Sequence, residues 1–302
     1  MSLLNFGSCN IDYVYSLEKI VSPGETVSTY SLELFEGGKG LNQSIAAARA
    51  GMNVYHAGCI GADGKMLSSM LSQNGVDVGS LLVLDNVKTG HAIIQVSSSG
   101  ENCILLYGGA NLSVSREYID KVLDGFDKGD MLLLQNEISN VDYLVDAAYS
   151  KGMTVVLNPS PINENIEKID ISKLSYLILN EHEAEAMTGK TEPKEIRDAL
   201  ISRYPGLSVV LTLGRAGAIY FDNREYVSHP AFDVTAVDTT AAGDTFTGYF
   251  LASISNGLSP RDALKRASAA SALAVTRKGA APSIPTNKEV LAAENILLPL
   301  EI

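Results

Sequence analysis

The chain has 302 residues, of which 46% are hydrophobic and 19% are charged, a composition typical of a globular protein with one large domain or two smaller ones. Its formal net charge of −12 argues against nucleic acid as a partner, because nucleic-acid phosphates require lysine and arginine. No apolar run is long enough to cross a bilayer, the first residues lack a signal-peptide pattern, and the three cysteines form no CxxC pair. We therefore expect a cytoplasmic protein with reduced thiols and no membrane partner.

Two segments near the start of the chain have the pattern of a small β-sheet. Segments 11–35 and 86–107 alternate apolar with polar side chains and contain turn signals, which is typical of antiparallel strands with one solvated face. Such a sheet could cover a site or pair with its copy in a second subunit. The predicted domain boundaries are, for an α/β body, 1–11, 37–85 and 108–302, and, for a small antiparallel lid made of two insertions, 12–36 and 86–107.

From about residue 108 onward, helical stretches alternate with short apolar runs. Those runs lack polar alternation, which predicts strands buried on both faces of a parallel sheet. The fold class predicted is therefore α/β, a three-layer, doubly wound and mostly parallel sheet with helices on both sides. The predicted strands are 131–135, 154–158, 176–180 and 208–213, and the predicted helices are 115–125 (capped by Ser115), 139–152, 181–189, 192–204, 243–256 and 260–276.

The stretch 236-AVDTTAAGDTFTGYFLA-252 places three small residues in front of an acidic one at a helix start. Ala241, Ala242 and Gly243 leave the backbone N–H groups bare, and these groups attract an anion together with the helix dipole. Asp244 by itself could be only a favourable partner of that dipole, worth about 0.3–1 kcal/mol. A structural cap does not need three bare amides, however, so the combination predicts phosphate chemistry assisted by a carboxylate base.

Two further clusters have polar groups that suit a hydroxyl-rich ligand. In 35-FEGGKGLNQSIA-46, Gly38 allows close backbone approach and Asn42 lies one helical turn later, on the same side; the alternative is a simple glycine-rich turn. Asn10 and Asp12 lie at i and i+2, on one face of an extended segment. Side by side, an amide and a carboxylate can hold a vicinal diol, although a polar turn after the first strand explains them equally well.

Nucleotide and metal chemistry are indicated more weakly. Asn180 and Glu183 have the spacing of a helix capping box, and the functional alternative is that they hold Mg²⁺ through water. The stretch 211-LTLGRAG-217 is a strand that runs into a glycine turn and could line the path of a nucleotide phosphate. The GxxxxGK[ST] spacing of a P-loop is absent. The dinucleotide-binding GxGxxG fingerprint is absent as well, which disfavours a dehydrogenase.

Taken together and in order, these motifs resemble the ribokinase branch of the PfkB carbohydrate kinases over nearly the whole chain. The stretches that carry the resemblance are N-x-D at 10–12, GGKG-x-N at 37–42, GGAN at 108–111, LNPSP at 157–161, N-x-x-E at 180–183, TLG at 212–214, DTTAAGDTFTG at 238–248 and AVTRKGAAPS at 274–283. The resemblance implies transfer of phosphate from ATP to a sugar, most closely D-ribose, giving D-ribose 5-phosphate. It further implies Mg²⁺ and K⁺ as cofactors and a homodimer formed through the lid.

The resemblance also implies roles for individual residues. Asp244 would be the general base, and the N–H groups of Ala241, Ala242 and Gly243 would form an anion hole for the transferred phosphoryl group. The sugar would contact Asn10, Asp12, Gly38, Lys39, Asn42, Ile94 and Glu137, with Asp244 at its primary hydroxyl. The nucleotide would contact Asn180, Thr212, Gly214, Gly217, Gly243 and Ser268. Glu183 would hold Mg²⁺ through water, and K⁺ would lie near Asp238, Thr240, Ala274, Arg277, Gly279 and Ser283.

Other functions stay open at this point. The chain could phosphorylate another sugar or a nucleoside, such as fructose, 2-keto-3-deoxygluconate or adenosine. It could also be a non-catalytic sensor of sugar or nucleotide, although binding alone does not need the base Asp244.

Overall fold

Within residues 1–300, which the computed structural model describes, strands and helices alternate along most of the chain. The strands are β1 (Leu3–Phe6), β2 (Asn10–Leu17), β3 (Ser31–Gly37), β4 (Val54–Gly61), β5 (Leu81–Leu84), β6 (Gly90–Ser97), β7 (Asn102–Tyr107), β8 (Met131–Gln135), β9 (Thr154–Asn158), β10 (Tyr176–Asn180), β11 (Ser208–Thr212), β12 (Ala218–Phe221) and β13 (Tyr226–His229). The α-helices are α1 (Lys39–Arg49), α2 (Lys65–Gln73), α3 (Arg116–Leu123), α4 (Val141–Ser150), α5 (Glu181–Thr188), α6 (Pro193–Arg203), α7 (Ala242–Ser255), α8 (Pro260–Val275) and α9 (Asn287–Ala293).

The larger of the two sheets has nine strands in the order β13-β12-β11-β10-β9-β8-β1-β4-β5. The pairings from β5 to β11 are parallel, and only β12 and β13 join in antiparallel fashion at one edge. Helices α1, α2, α7, α8 and α9 cover one face of this sheet and α3 to α6 cover the other. The predicted three-layer α/β fold with a mostly parallel sheet is therefore confirmed.

The central strands are apolar on both faces because each face packs against a layer of helices. Leu3 and Leu4, neighbours in β1, belong to the two different core clusters, and so do Val209 and Val210 in β11. All four are fully buried. This is why short apolar runs without alternation identified these strands correctly.

The smaller sheet contains four strands in the order β3-β2-β6-β7. Each of its two hairpins, β2–β3 and β6–β7, is antiparallel as predicted, and the hairpins join through a parallel pairing of β2 with β6. The register of that pairing begins at Asn10 opposite Gly90. The hairpins follow β1 and β5, two parallel strands whose carboxyl ends lie at the same edge of the larger sheet, so the first strands of the hairpins can run in the same direction.

The predicted helices also form, with small shifts at their ends. Ser115 caps α3 by accepting a hydrogen bond from the Tyr118 N–H at 3.2 Å. Helix α7 begins at Ala242, one residue before the predicted start. The preceding residue, Ala241, has a left-handed backbone with φ of 59°, which is uncommon for a residue with a side chain. No helix in the described part of the chain is both long and apolar enough to span a membrane.

Candidate active site

The carboxylate of Asp244 is buried in the first turn of α7, where it faces helix α1. Two neighbouring side chains of α1 donate to it: Asn42 Nδ2 to Oδ2 at 3.1 Å and Gln43 Nε2 to Oδ1 at 2.9 Å. Helices α1 and α7 approach so closely because Gly248, one turn after Asp244, lies against the backbone of α1 at Ala46 and Ala47. The contact between the helices thus sets the position of the carboxylate.

The backbone at the start of α7 presents N–H groups beside that carboxylate. The Gly243 N–H has no acceptor among residues 1–300, and the space where a side chain would stand at Gly243 is open. The Ala242 N–H, by contrast, donates to the carbonyl of Thr239 at 3.2 Å. Of these two amides predicted to bind an anion, one is therefore free and the other is engaged in a turn.

Two adjoining pockets, one of them an apolar cavity, form a groove that reaches Asp244. The cavity, of about 300 Å³, lies between α7, α8 and the end of β11. It adjoins a polar pocket lined by Asp244, and the two share the lining residues Thr212, Thr239, Ala242 and Gly243. The predicted nucleotide contacts Gly214, Gly217 and Ser268 lie along the cavity, beside apolar walls formed by Phe232, Val234, Phe246, Ala272, Val275 and Leu300.

Asn180 and Glu183 line the polar pocket opposite the start of α7. They form the predicted capping box: Asn180 Oδ1 accepts from the Glu183 N–H at 2.9 Å, and Glu183 Oε2 accepts from the Asn180 N–H at 3.0 Å. The structural reading of this motif is therefore confirmed. The second carboxylate oxygen of Glu183 makes no hydrogen bond within residues 1–300, so it is free to face a ligand in the pocket.

A second set of polar groups lies between α1 and the smaller sheet. Asn10 begins β2, where its Oδ1 accepts from Asn111 Nδ2 at 2.8 Å. Glu137 accepts from the Ser8 hydroxyl and from the Lys39 N–H at 3.3 Å. Asp12 lies beside Gly37 and close enough to Glu137 to feel its charge, so four of the predicted sugar residues, Asn10, Asp12, Lys39 and Glu137, lie near the start of α1.

Comparison with known proteins assigns this arrangement to a family. The family model for pfkB family carbohydrate kinases matches residues 2–287. The chain belongs to the PfkB family of carbohydrate kinases. It is 36% identical over 298 residues to a ribokinase of Haemophilus influenzae, and the aligned region covers 96% of this chain and 97% of that protein. Phosphoryl transfer to a carbohydrate hydroxyl, the predicted reaction class, is thus confirmed at the level of the family.

Two solved ribokinases share the fold of this PfkB-family chain. The ribokinase of Cryptococcus neoformans in complex with ADP superposes with a TM-score of 0.85 at 33% identity, covering 96% of this chain and 99% of the other. The ribokinase of Arabidopsis thaliana complexed with ribose and ATP superposes with a TM-score of 0.87 at 30% identity, covering 97% and 98%.

Charges of opposite sign converge in the PfkB-family site. Burial lowers the pKa of the Lys39 ammonium, but the carboxylates of Asp244, Glu137 and Glu183 outweigh it and leave that pKa above its ordinary value. Burial, together with the negative charge of Glu137, raises the pKa of Asp12 to about 7. Lys39 is therefore charged at neutral pH, whereas Asp12 changes its charge there.

Asn42 offers an acceptor that the protein leaves unused. Its Nδ2 donates to Asp244, while its Oδ1 is buried and has no partner among residues 1–300. A buried polar atom without a hydrogen bond is costly, so this oxygen is suited to accept a hydrogen bond from a hydroxyl of a ligand.

Gly38, which precedes α1, has a φ of 99° that a residue with a side chain would rarely adopt.

Ile94, predicted to cover the sugar, lies on β6 opposite Val14 of β2. Because Val14 comes two residues after Asp12, Ile94 and Asp12 lie on the same face of the smaller sheet. Asp12 is close to Glu137, so that face adjoins the other predicted sugar residues. The geometry is compatible with the predicted cover, whose role remains a prediction.

The loop before α7, predicted to bind K⁺, is tied to the segment after α8. Asp238 Oδ1 accepts from both the N–H and the hydroxyl of Thr240, at 2.9 and 2.6 Å, and Oδ2 accepts from the Gly279 N–H at 2.9 Å. Burial raises the pKa of Asp238, but these hydrogen bonds outweigh it and leave the pKa below its ordinary value. The other predicted members make local contacts: Ala274 accepts from the Arg277 N–H, and the Ser283 hydroxyl donates to Ala280.

Three residues that contact the site were not among the predicted site residues. Gln43 donates to Asp244, Ser8 donates to Glu137, and Asn111 holds Asn10. Asn111 closes the GGAN motif, so a signal for it was present in the sequence. Ser8 and Gln43 flank predicted residues, but only the packing of α1 against β1 and α7 shows what they contact.

Proposed function

We propose that the protein phosphorylates D-ribose with ATP to give D-ribose 5-phosphate and ADP. The observation that carries the proposal is the position of Asp244, where a groove lined by the start of α7 meets the polar groups around α1. Asp244 takes the proton of the primary hydroxyl of the sugar while the oxygen of that hydroxyl forms a bond to the γ-phosphorus of ATP. The bond from that phosphorus to ADP breaks, and Asp244 contributes on the order of 10²–10⁴-fold as general base.

The phosphoryl group would be held by the start of α7. The free Gly243 N–H and the dipole of the 14-residue helix favour its negative charge. The Ala241 and Ala242 N–H groups complete the proposed anion hole, and Ala242 exchanges the Thr239 carbonyl for a phosphate oxygen when the nucleotide binds. Lys39, which also lines the pocket, adds a positive charge close to the transferred group.

The residues present fit the nucleotide and Mg²⁺. Adenine suits the apolar cavity beside Ser268, and the phosphates follow the groove along Thr212 and Gly214 to α7. Glu183 and Asn180 face the same groove, and the free carboxylate oxygen of Glu183 suits Mg²⁺, which keeps several waters and needs few protein carboxylates. When bound, Mg²⁺ would neutralise charge on the phosphates.

The sugar would lie between the small sheet and α1. Asn10, Asp12, Gly38, Lys39, Asn42 and Glu137 offer it hydrogen bonds, and Ile94 covers it. The likeness to proteins named ribokinase supports ribose over fructose, 2-keto-3-deoxygluconate or adenosine. A coupled assay of ADP release with these four acceptors tests the assignment. A greater kcat/KM for an acceptor other than ribose would replace ribose as the substrate. No turnover with any of the four acceptors would favour a non-catalytic sensor.

The pH dependence of sugar binding follows from Asp12. Its pKa of about 7 leaves it mostly protonated at pH 6 and mostly ionised at pH 8, and the ionised form accepts hydroxyl hydrogen bonds at both oxygens and more strongly than the protonated form. We expect ribose to bind about tenfold more tightly at pH 8 than at pH 6, measured by calorimetry without nucleotide. In Asp12→Asn the affinity should be weaker and equal at the two pH values; a wild-type affinity that is independent of pH would contradict the role of Asp12.

Activation by K⁺ is proposed from the loop before α7. A carboxylate has about four acceptor positions, and Asp238 uses three on Thr240 and Gly279, which leaves one for a cation. Because the loop continues into Ala241, a bound cation would order the anion hole. We expect kcat to be several-fold higher in KCl than in NaCl at equal ionic strength, and the difference to shrink in Asp238→Ala. Equal wild-type rates in both salts would refute the proposal.

We propose that the small sheet acts as the lid and pairs with a second copy through its outer face. A row of apolar side chains crosses that face in register: Leu34, Tyr13, Ile93 and Leu105. Tyr13 adjoins Asp12, so the row points away from the site. Leu34 and Leu105 are 47% and 60% exposed, and a second subunit would cover them.

Leu105→Glu should therefore shift the protein from dimer to monomer in sedimentation velocity, because a charge would be buried at the interface. Leu291→Glu on α9 replaces a leucine that is 43% exposed outside the small sheet and should leave the dimer intact. A wild-type protein that is monomeric at micromolar concentration would overturn this assembly. The cytoplasmic location stays a prediction from the sequence.

A further inference from the structure

Behind Asp244 lies a chain of three buried amide side chains that the proposed reaction does not use. Gln43 of α1, Gln135 of β8 and Asn5 of β1 have no exposed surface. Gln135 Nε2 donates to Gln43 Oε1 at 2.7 Å and to Asn5 Oδ1 at 3.0 Å. Gln43 then donates to Asp244 Oδ1 at 2.9 Å. The chain thus runs from the middle of the larger sheet to the carboxylate.

Every N–H of these three amides has an acceptor. Gln43 Nε2 donates one hydrogen bond to Asp244 Oδ1 and a second to Asn158 Oδ1 at 3.2 Å. Asn5 donates to the Gly40 carbonyl at 2.8 Å and to the Ser44 hydroxyl at 2.9 Å. Turning over Gln43 or Asn5 would set its N–H groups against those of Gln135. Turning over Gln135 would set its oxygen against Gln43 Oε1 and Asn5 Oδ1, so the direction of each amide is determined by its neighbours.

We propose that Gln43, oriented by Gln135, is a positioning residue that holds the Asp244 carboxylate in its reactive direction. The inference deepens the proposed function, since it rests on Asp244 acting as the base. Asn42 also donates to Asp244, but its other polar atom is left for a ligand, whereas both ends of Gln43 are held by the protein. Gln43 is therefore the fixed partner of the carboxylate.

Buried amides carry a cost that apolar side chains would avoid. The six N–H groups of these three buried amides each need an acceptor, whereas an apolar core of the same volume would be as stable without them. What the amides add is direction: an ionised carboxylate only accepts hydrogen bonds, so the N–H of Gln43 selects one orientation of Asp244. Misplacement of a reacting group by about 1 Å costs about 10²-fold in rate.

The test compares Gln43→Met, which keeps the length of the side chain and removes both donors, with the wild-type protein. We expect kcat for ribose phosphorylation to fall about 10- to 100-fold, while KM for ATP and for ribose changes less than about threefold. Tyr220→Phe is the matched control: Tyr220 is buried, and its hydroxyl bonds to Ser208 and Asp222 at 3.1 Å, away from the groove. It should lower stability and leave kcat within about twofold.

A second variant separates orientation from direct contact. Gln135→Met leaves Gln43 in place but removes the donor that orients it, so kcat should fall about 3- to 10-fold. The double variant should lose little more than Gln43→Met alone, because both changes act through one contact. The readout that separates positioning from binding is the contrast between kcat, which falls in Gln43→Met, and KM for ribose, which stays nearly constant.

The outcomes separate this inference from the proposed function. A wild-type protein without kinase activity, or an Asp244→Ala variant with full kinase activity, would refute the proposed function. If those two behave as expected and either folded variant retains the wild-type kcat, only the role of Gln43 is overturned. A rise of KM for ribose with unchanged kcat would likewise overturn it, because Gln43 would then serve binding. Circular dichroism and thermal melting identify which variants are folded.

Discussion

Asp244→Ala should reduce kcat for ribose phosphorylation by about 10³-fold while leaving ribose and ATP binding nearly unchanged. The carboxylate lies beside the free Gly243 N–H and is held by two amides of α1, so it is the group placed to take the proton of the attacking hydroxyl. Single-turnover measurement with saturating ribose and ATP gives the chemical step directly, and calorimetry with each ligand checks that binding persists.

The control for this prediction is another acidic residue in the first turn of a helix. Asp262 has the same helical setting in α8, capped by Ser259, but it lies on the surface outside the groove. Asp262→Ala should cost about 0.3–1 kcal/mol of stability through the helix dipole and leave kcat unchanged. If Asp244→Ala behaved in the same way, Asp244 would be only a dipole partner and the general-base assignment would fail.

Gly248→Ala should destabilise the protein and lower kcat together. A methyl group at this position would stand 2.5 Å from both Ala46 Cβ and Ala47 N of α1, much closer than atoms can pack. Intrinsic helix propensity predicts the opposite, a gain of about 1 kcal/mol for Gly→Ala in a helix interior. We expect overpacking to prevail, with a net loss of about 1–3 kcal/mol in the free energy of unfolding measured by urea titration.

The effect on activity follows from the same contact. Gly248 lies one turn after Asp244 on the same side of α7, so moving the helices apart lengthens the hydrogen bonds from Asn42 and Gln43. Gly206, where the space for a methyl group is open and φ is not positive, provides the control, and Gly206→Ala should change neither property. A stabilised Gly248→Ala with full activity would show that the α1–α7 contact does not set the position of Asp244.

Much of the fold was predictable because its signals are local. The run 131-MLLLQ-135 is buried on both faces and forms β8, and Ser115 caps the helix that it was predicted to start. The capping box at Asn180 and Glu183 formed as predicted because it needs only residues three positions apart. The small sheet was predicted as two segments of antiparallel strands, 11–35 and 86–107, but the parallel pairing of β2 with β6 was not predicted, since it joins segments about 80 residues apart in the chain.

The amino-acid sequence by itself determined the order of strands and helices, the family and the residues proposed for catalysis. The signals for these are local, because a motif of small and polar residues at a helix start lies within a few positions of the chain. Only the tertiary structure decided that Asn42 and Gln43 both reach Asp244, that Gln135 and Asn5 stand behind Gln43, and that the Ala242 N–H is already engaged. These contacts join residues as many as 202 positions apart. They depend on how closely α1 packs against α7 and the sheet, a distance that no local pattern encodes.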